Sequence, residues 1–577
     1  MKRTGSQIVW ESLMREGIEV VFGYPGGAIM PVYDALLDYP IHHVLVRHEE
    51  NAAFAADGYA RASGKVGVCV ATSGPGATNL VTGLAGAMMD SVPVVAITGQ
   101  VASPLVGTDA FQETDVTGVT LPITKHNYLV NQVDELPHIM KEAFHIARTG
   151  RPGPVLVDVC KDVQFASTEF DYDAIKMRLR GYRPINRGAP NQIRQAAAMI
   201  NAAERPVILA GHGIILAGAH DELLALVEGG NIPVATTLLG IGCLPEAHPL
   251  NLRLMGMHGE AYVNQAVQAA DLLIALGMRF DDRVTGNLST YARNAEIIHV
   301  DIDPAEIGKN VIADLGIVGD VRRVLGQLLP LIERRPRTAW FAQIAEWRDE
   351  AASRDILNRA ADDSLPAPYV ISEISRATNG AQATVVTDVG QHQMWVAQYF
   401  RHNRRNQLLT SGGLGSMGYG LPAAIGASFA RPDDEVWAIV GDGGFQMSLP
   451  ELATVMQERR PIRIAIMRNG YLGMVRQWQE LIHGKRYSEV AISSPDFLKV
   501  AEAYGVLGMR AETRSQVAEV IAEARSTPGP VLMDFVVERE VNVYPMVQPG
   551  RALHDMVRRP VEEKIGAGGG WQTANCK

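Results

Sequence analysis

Cysteine is scarce. The 577 residues hold four, Cys69, Cys160, Cys243 and Cys576, and no two form a CxxC pair. This excludes a disulfide framework and a cysteine-built zinc site, and it suits a reducing cytoplasm. Positive charge is also in deficit, with a net charge of -10 and a pI near 5.9. Without a basic stripe, nucleic acid is not an expected partner. No signal or transit segment precedes the helical pattern at Gln7–Gly17. Long apolar runs are missing, with one apparent exception: Val66–Met89 carries no charge. Ser73-Gly74-Pro75-Gly76 breaks it, and Thr72, Thr78 and Asn79 interrupt it. It therefore reads as a core strand, a loop and a closely packed helix, not as a membrane span. Its apolar character also predicts a buried subunit interface. No short-period repeat is present.

What remains is an ordinary globular composition, 47% hydrophobic and 20% charged, with length for about three to four domains. Residues 1–180 alternate helix and strand, with strands expected at Val20–Tyr24, Val44–Arg47, Gly67–Ala71, Val94–Thr98 and Val155–Val159. Arg178–Pro190 reads as a linker. A second alternating block, 191–340, has strands at Val207–Ala210, Val234–Thr236, Leu272–Leu276 and Ile297–Val300. A polar join bearing Pro366 and Pro368 follows. The third block, 369–545, has strands at Thr384–Thr387, Val436–Val440, Ile462–Met467 and Val531–Phe535. Residues 546–577 form a tail that turns Gly-rich from Gly566. The fold class is α/β, three doubly wound parallel sheets.

The densest signal lies between Glu435 and Gly473. An apolar strand runs into Gly441-Asp442-Gly443-Gly444. A helix is expected from Ser448 to Gln457, opened by Ser448 and Glu451 spaced as a capping box. A second strand then ends at Asn469. In a strand–helix–strand unit the two strands lie parallel, so Asp442 and Asn469 share the carboxyl edge where open α/β sheets bind ligands. A carboxylate and an amide oxygen there make a hard half-shell for Mg²⁺, and the glycines let backbone approach a diphosphate. An isolated GDG could equally be a tight turn. With the helix, strand and Asn it resembles the signature of thiamine diphosphate enzymes. That resemblance implies a third metal ligand, the carbonyl of Tyr471, with Leu472, Gly473 and Met474 beside the cofactor.

In the first block His48-Glu49-Glu50 stands between a strand and the helix Ala52–Arg61. Acids at a helix start complement its dipole and need no further role. The resemblance implies more for Glu49. A carboxylate bonded to the aminopyrimidine N1′ of the cofactor helps activate it, and an apolar site would raise its pKa. Tyr24-Pro25-Gly26-Gly27 and Thr72-Ser73-Gly74-Pro75-Gly76, the latter followed by Asn79, end strands on the same edge and could be plain turns or one pocket. Glu50 departs from the Gln usual there.

Three further strings sharpen the resemblance. They are Gly107-Thr108-Asp109-Ala110-Phe111-Gln112-Glu113, Gly150-Arg151-Pro152-Gly153-Pro154 leading to Lys161, and Arg279-Phe280-Asp281-Asp282-Arg283-Val284-Thr285-Gly286. With them the chain resembles the acetohydroxyacid synthase family, closest to its catalytic large subunit, from about residue 4 to 560. The resemblance implies pyruvate decarboxylation and transfer of the two-carbon unit to pyruvate or 2-ketobutyrate, a step toward valine, leucine and isoleucine. Gly27, Phe111, Gln112 and Lys161 would line the pocket. Arg283 would take the carboxylate of the incoming ketoacid, a task that suits a permanently charged, bidentate guanidinium. Trp478 would favour 2-ketobutyrate.

The resemblance also implies a structural FAD held by Arg151, Gly211, Gly213, Thr237, Leu238, Met257, His258, Gly277, Arg279, Asp282, Asp301, Ile302, Glu306 and Asp320. Asp388-Val389-Gly390-Gln391-His392 resembles the family's diphosphate turn, with Gln391 and His392 donating to phosphate. Gly415 and Met417 belong to the loop whose Met wedges between the cofactor rings, a place that suits an adaptable thioether. His212, Cys160, Ala102 and Tyr471 depart from common family residues, and Ala102 predicts altered inhibitor sensitivity. The cofactors implied are thiamine diphosphate, Mg²⁺ and FAD. The partners implied are a second copy in a homodimer or homotetramer and a regulatory small subunit. Pyruvate oxidase and a non-enzymatic relative are the alternatives.

Overall fold

The computed structural model describes residues 2–359 and 364–560. The Gly-rich stretch from Gly566 and Cys576 lie outside the described residues. Three six-stranded parallel sheets carry the architecture. The first runs His42–Leu45, Val20–Gly23, Gly67–Ala71, Val94–Gln100, Val155–Cys160, His126–Val130 across the sheet. The third runs Leu408–Thr410, Ala383–Thr387, Glu435–Gly441, Arg463–Arg468, Val531–Val536, Leu507–Ala511. Numbered by chain order within each sheet, both read 2-1-3-4-6-5, so first and third domains are topological twins. The middle sheet runs Asn251–Leu254, Val234–Thr236, Pro206–Ala210, Leu272–Leu276, Glu296–Asp301, Leu315–Val318, or 3-2-1-4-5-6. That is the strand order of dinucleotide-binding folds, whose ligands sit where the order reverses, here past Ala210 and Leu276.

The central strands of each sheet are continuous apolar runs because helices cover both faces. Val207–Ala210 and Leu272–Leu276, for example, are wholly buried. Edge strands such as His126–Val130 and Leu507–Ala511 are only partly buried. They carry no apolar run, and the sequence pattern passes over them. A short antiparallel pair, Lys2–Thr4 with Ser167–Glu169, closes the first domain.

First and third domains meet along two helices, Glu49–Ser63 and Gly420–Ala430. Their contact face is alanine and glycine, and the backbones touch. A Cβ on Gly58 would stand 2.2 Å from the Ala423 carbonyl oxygen, and one on Gly426 would stand 1.9 Å from that of Ala55. The uncharged helix of the Val66–Met89 stretch packs into the same seam, where a Cβ on Gly83 would meet Ala53 Cβ at 2.4 Å. Among the described residues no helix is long and apolar enough to cross a membrane.

Two local expectations are corrected. The helix expected from Ser448 begins at Asp442, and Ser448 ends its first piece without capping anything. The glycines after Asp442 did not delay the helix, because an acid at its first turn favours the start. Glu451, expected in a capping box, instead accepts from Arg47 N at 2.8 Å, Asn51 Nδ2 at 2.9 Å and Thr454 Oγ1 at 2.6 Å, tying third domain to first. The helix expected from Ala52 begins at Glu49, with His48 accepting from Glu50 N as its cap.

Candidate active site

The carboxyl edge of the third sheet gathers its motif residues by register. Gly441 pairs with Met467 across two neighbouring strands, which brings Asp442 and Asn469 to one edge. Asp442 is 1% exposed and forms no ion pair among the described residues. Its Oδ2 accepts from Gly470 N at 3.0 Å and Ser494 Oγ at 2.8 Å. Burial still pushes its pKa up, as expected for a buried carboxylate without a cation. Asn469 Oδ1 accepts from Tyr471 N at 2.9 Å, closing the turn that leads into Tyr471. The Tyr471 ring lies under the Arg539 guanidinium at 4.7 Å. Leu472 N donates to Val490 O at 2.8 Å, and Gly473 opens the helix Gly473–Ile482.

Across the reversal point stands the turn Asp388–His392. Asp388 is buried and accepts from Gly418 N at 3.1 Å and Gly420 N at 2.9 Å, which fixes the loop carrying Gly415 and Met417. Its pKa is pushed up to about 6 by burial, against the pull of three backbone amides. His392 is buried, burial lowers its pKa to about 4, and its Nε2 has no partner. Gln391 differs from expectation. Its Nε2 already donates to Gln477 Oε1 and Val541 O, both at 2.8 Å, which leaves the main-chain N–H at the start of the helix Gln391–Tyr399 as the donor it could offer. Side chains are kept out of the cradle: a Cβ on Gly390 or Gly441 would stand 3.0 Å from His392, one on Gly444 2.4 Å from Asp388, and one on Gly473 2.3 Å from Gln391. Met417 Cε reaches to 3.8 Å of a Cβ on Gly443. An orphaned imidazole nitrogen, a cation-starved carboxylate and a glycine-lined hollow fit a diphosphate with a divalent ion.

The twin edge of the first sheet is built from Tyr24–Gly27, Glu49, Thr72–Gly76 and Asn79. Asn79 Nδ2 donates to Glu49 Oε2 at 2.9 Å, and Glu49 Oε1 lies 3.3 Å from a Cβ on Gly76. Gly26 is pressed on Thr72, whose side chain would meet its Cβ at 2.5 Å, while Gly27 faces open space. The Phe111–Gln112 turn rests on Gly74: φ is +60° at Gln112 and +56° at Gly74, and a Cβ there would meet the Gln112 carbonyl oxygen at 2.7 Å. Phe111 is 89% exposed, and Tyr24 and Pro25 are exposed. Lys161 opens the helix Lys161–Phe165, partly buried. The apolar enclosure expected for Glu49 is not supplied by its own chain, where it is only half-buried.

Between the domains lies a cavity of about 1090 Å³. Its wall includes Arg151, Gly213, Thr237, Leu238, Met257, His258, Gly277, Arg279, Asp282, Asp301, Ile302, Glu306 and Asp320, and also Arg283, Val389, Gly415, Met474 and Trp478. Gly211 is not on the wall. It is packed behind it, a Cβ there meeting Gly277 O at 2.2 Å. Arg151 Nη1 reaches Glu306 Oε1 at 2.7 Å and Asp303 Oδ2 at 3.3 Å. Burial lifts the Asp301 pKa to about 6 and lowers that of His258 to about 4. The Arg283 guanidinium lies over the Trp478 ring at 5.5 Å and pairs with Asp282 at 3.0 Å. That pair is exposed, so its loss to a competing carboxylate costs well under ~1 kcal/mol. Glu49 is not on this wall.

Comparison with known proteins finds matches in all three domains. The thiamine pyrophosphate enzyme N-terminal TPP binding domain matches residues 3–119, the central domain 193–328 and the C-terminal TPP binding domain 388–535. An acetolactate synthase of Mycobacterium bovis is 50% identical over 558 residues, 95% of this chain and 90% of that protein. The probable acetolactate synthase large subunit of Methanocaldococcus jannaschii is 48% identical over 570 residues, 97% and 96% of the two chains. The acetolactate synthase large subunit of Corynebacterium glutamicum is 48% identical over 567 residues, 96% and 90%. The chain belongs to the acetolactate synthase family of thiamine pyrophosphate enzymes.

Thiamine pyrophosphate and thiamine diphosphate are one compound, and acetolactate and acetohydroxyacid synthase are one family. For this acetolactate synthase chain, sequence reasoning passed over a set of side chains that join the domains. Arg61 is buried between Asp57 (Nε to Oδ1, 2.6 Å) and Asp90 (Nη2 to Oδ2, 2.8 Å). Asp90 accepts from Gly412 N at 3.0 Å and Gly413 N at 2.6 Å, and Tyr419 Oη donates to Asp57 Oδ1 at 2.7 Å. His212, the departure from the usual glycine, sets its Nδ1 2.8 Å from the Asp90 carbonyl oxygen. The loop bearing Met417 is thus hung from the first domain. The only sequence signal was the i, i+4 spacing of Asp57 and Arg61, which also marks ordinary surface pairs.

Proposed function

We propose that this chain is the catalytic large subunit of an acetolactate synthase. It decarboxylates pyruvate and joins the two-carbon unit to pyruvate or 2-ketobutyrate, giving 2-acetolactate or 2-aceto-2-hydroxybutyrate. Bound thiamine diphosphate supplies the electron sink for decarboxylation. Asp442, Asn469 and the Tyr471 carbonyl would hold Mg²⁺ against its diphosphate. The His392 Nε2 and the main-chain N–H groups of Gln391 and Gly443 would meet phosphate oxygens, and Met417 would shape the ring end. Glu49 would hold a proton at the pyrimidine. Gly27, Phe111, Gln112 and Lys161 would close the pocket, and FAD would occupy the interdomain cavity.

The observation that carries this reading is the shared wall of that cavity. Arg283 and Trp478 line it together with Val389, Gly415 and Met474, which supports Arg283 as the cation for a ketoacid carboxylate near the proposed diphosphate turn. The dinucleotide strand order of the middle sheet supports FAD at the same place. A homodimer, or a tetramer of such dimers, is favoured because Glu49 is half-buried and off that wall while Phe111 is exposed. A neighbouring chain would complete both. Relatives named large subunits support a small regulatory partner. Buried, unpaired Cys69, Cys160 and Cys243 suit the cytoplasm.

The test is product analysis with pyruvate alone and with added 2-ketobutyrate, on protein supplied with thiamine diphosphate, Mg²⁺ and FAD. 2-Acetolactate, diverted to 2-aceto-2-hydroxybutyrate by 2-ketobutyrate, is expected. Trp478→Leu should erode that diversion severalfold with the total rate less affected. Flavin bleaching with release of acetate or acetyl phosphate would make the chain a pyruvate oxidase instead.

A further inference from the structure

A second large cavity, about 710 Å³, opens between the middle and third domains, away from the proposed catalytic wall. Its charge is lopsided. Seven arginines line it against three carboxylates, Glu246, Glu260 and Asp355. Five of the seven have an acid within ion-pair distance. Arg253 reaches Glu260 at 2.9 Å and Arg401 reaches Glu246 at 3.5 Å, Arg354 and Arg558 share Glu350, and Arg376 takes Glu373. Arg348 and Arg559 have none among the described residues. Asp355 acts on Arg559 from farther off, and its own Oδ1 accepts from Leu357 N at 2.9 Å.

Both spare guanidiniums lie over tyrosine rings, Arg348 over Tyr262 at 5.0 Å and Arg559 over Tyr544 at 5.8 Å. A contact over a ring leaves guanidinium N–H groups for an anion. The buried Nε of Arg348 and Oε1 of Gln398, both on this cavity, have no hydrogen-bond partner. Burial draws the pKa of Arg559 down, the mark of a cation lacking sufficient countercharge. Two unmatched cations in one cleft call for two negative charges. The volume is far more than a bare ion fills, and the half-buried Tyr399 and Tyr544 offer ring surface to an organic body.

We infer that this cleft binds an organic phosphate monoester, its dianion held by Arg348 and Arg559 and its body packed on the tyrosines. The site is independent of the ketoacid chemistry, and it places a small-molecule ligand at the joint between two domains. The probe is adenosine monophosphate, titrated by calorimetry into full-length holoenzyme saturated with thiamine diphosphate, Mg²⁺ and FAD. Adenosine and succinate are run beside it. Saturable binding of adenosine monophosphate and none of adenosine is expected. Arg348→Ala and Arg559→Ala should each weaken binding at least about tenfold while flavin content and acetolactate formation stay unchanged. Equal affinity in both variants, or no binding at millimolar concentration, would overturn the assignment. Succinate binding in place of the phosphate, with the same arginine dependence, would replace it by a dicarboxylate site. Binding only in a chain ending at Pro560 would mean that the last residues fill the cleft themselves.

Discussion

The first and third domains share one strand order and yet present opposite kinds of ligand edge. In the third, both acids of the edge are fixed within the chain. Asp442 is held by Gly470 and Ser494, Asp388 by Gly418 and Gly420, and both acids are buried. In the first, Glu49 has one side-chain partner, Asn79, and its neighbours Tyr24 and Phe111 face solvent. A rigid, desolvated carboxylate suits holding a metal, because geometry and charge are set before the ion arrives. A half-open carboxylate whose final environment comes from outside suits a proton role, because its basicity is then set only when the site closes. On the proposed function the twin folds divide their work: the late edge would grip and the early edge would act.

The sharpest way to break that division is to remove one acid from each edge and compare cofactor retention with turnover. Asp442→Ala should release the cofactor. Thiamine diphosphate content after gel filtration falls to background, and acetolactate formation drops by about a thousandfold or more, beyond the 10–100-fold typical of outer-sphere partners. Glu49→Gln keeps size and hydrogen bonding. It should keep the cofactor and still lose about a hundredfold or more in turnover, in the range for a positioned acid–base group. If Glu49→Gln shed the cofactor as readily as Asp442→Ala, the two edges would be equivalent grips and the division would be wrong.

A milder effect is expected where the two domains are tied. Arg61 neutralises Asp57 and Asp90, and Asp90 holds Gly412 and Gly413. Arg61→Met leaves two buried carboxylates unpaired, a loss of about 3–5 kcal/mol. Thermal unfolding should register it, and KM for pyruvate should rise as the Met417 loop loosens. Arg61→Lys should recover part of the stability but less of the KM, since one ammonium cannot match the forked contact.

How much of this could be read beforehand follows from where the information lies. Strand ends are local: an apolar run that stops at Gly441-Asp442 announces both the strand and its edge, and parallel connection then brings Asn469 alongside. The same logic gave Tyr24–Gly27 and Thr72–Gly76. Edge strands such as Leu408–Thr410 and Leu507–Ala511 were illegible, the first because it is only three residues long and the second because it is partly exposed and has no apolar run. Partners remote in sequence were illegible too. Nothing local distinguishes Glu451 as the anchor of Arg47 and Asn51, four hundred positions away, from a capping-box acid. The assignment of Gln391 failed at its side chain for the same reason: its partners Gln477 and Val541 arrive only with folding.

The smallest expected effect touches the early edge through pH. Asp158 is buried in the first sheet, accepting from Thr98 Oγ1 at 2.7 Å and Gln100 Nε2 at 2.9 Å, and the same Gln100 nitrogen donates to Thr114 O at 2.9 Å. This chain of bonds anchors the base of the loop that carries Phe111 and Gln112. Burial raises the Asp158 pKa from 3.8 to about 7. The folded chain therefore binds this proton more tightly than the unfolded one. Its contribution is complete below about pH 4 and is lost as pH climbs toward 7, by up to about 4 kcal/mol. Asp158→Asn keeps the shape and cannot ionise, so urea midpoints measured from pH 5 to 7.5 should fall less steeply in the variant than in the parent chain, while turnover at pH 7 changes little. Parallel slopes would mean that solvent reaches Asp158, and that the early edge is open beneath its loop as well as above it.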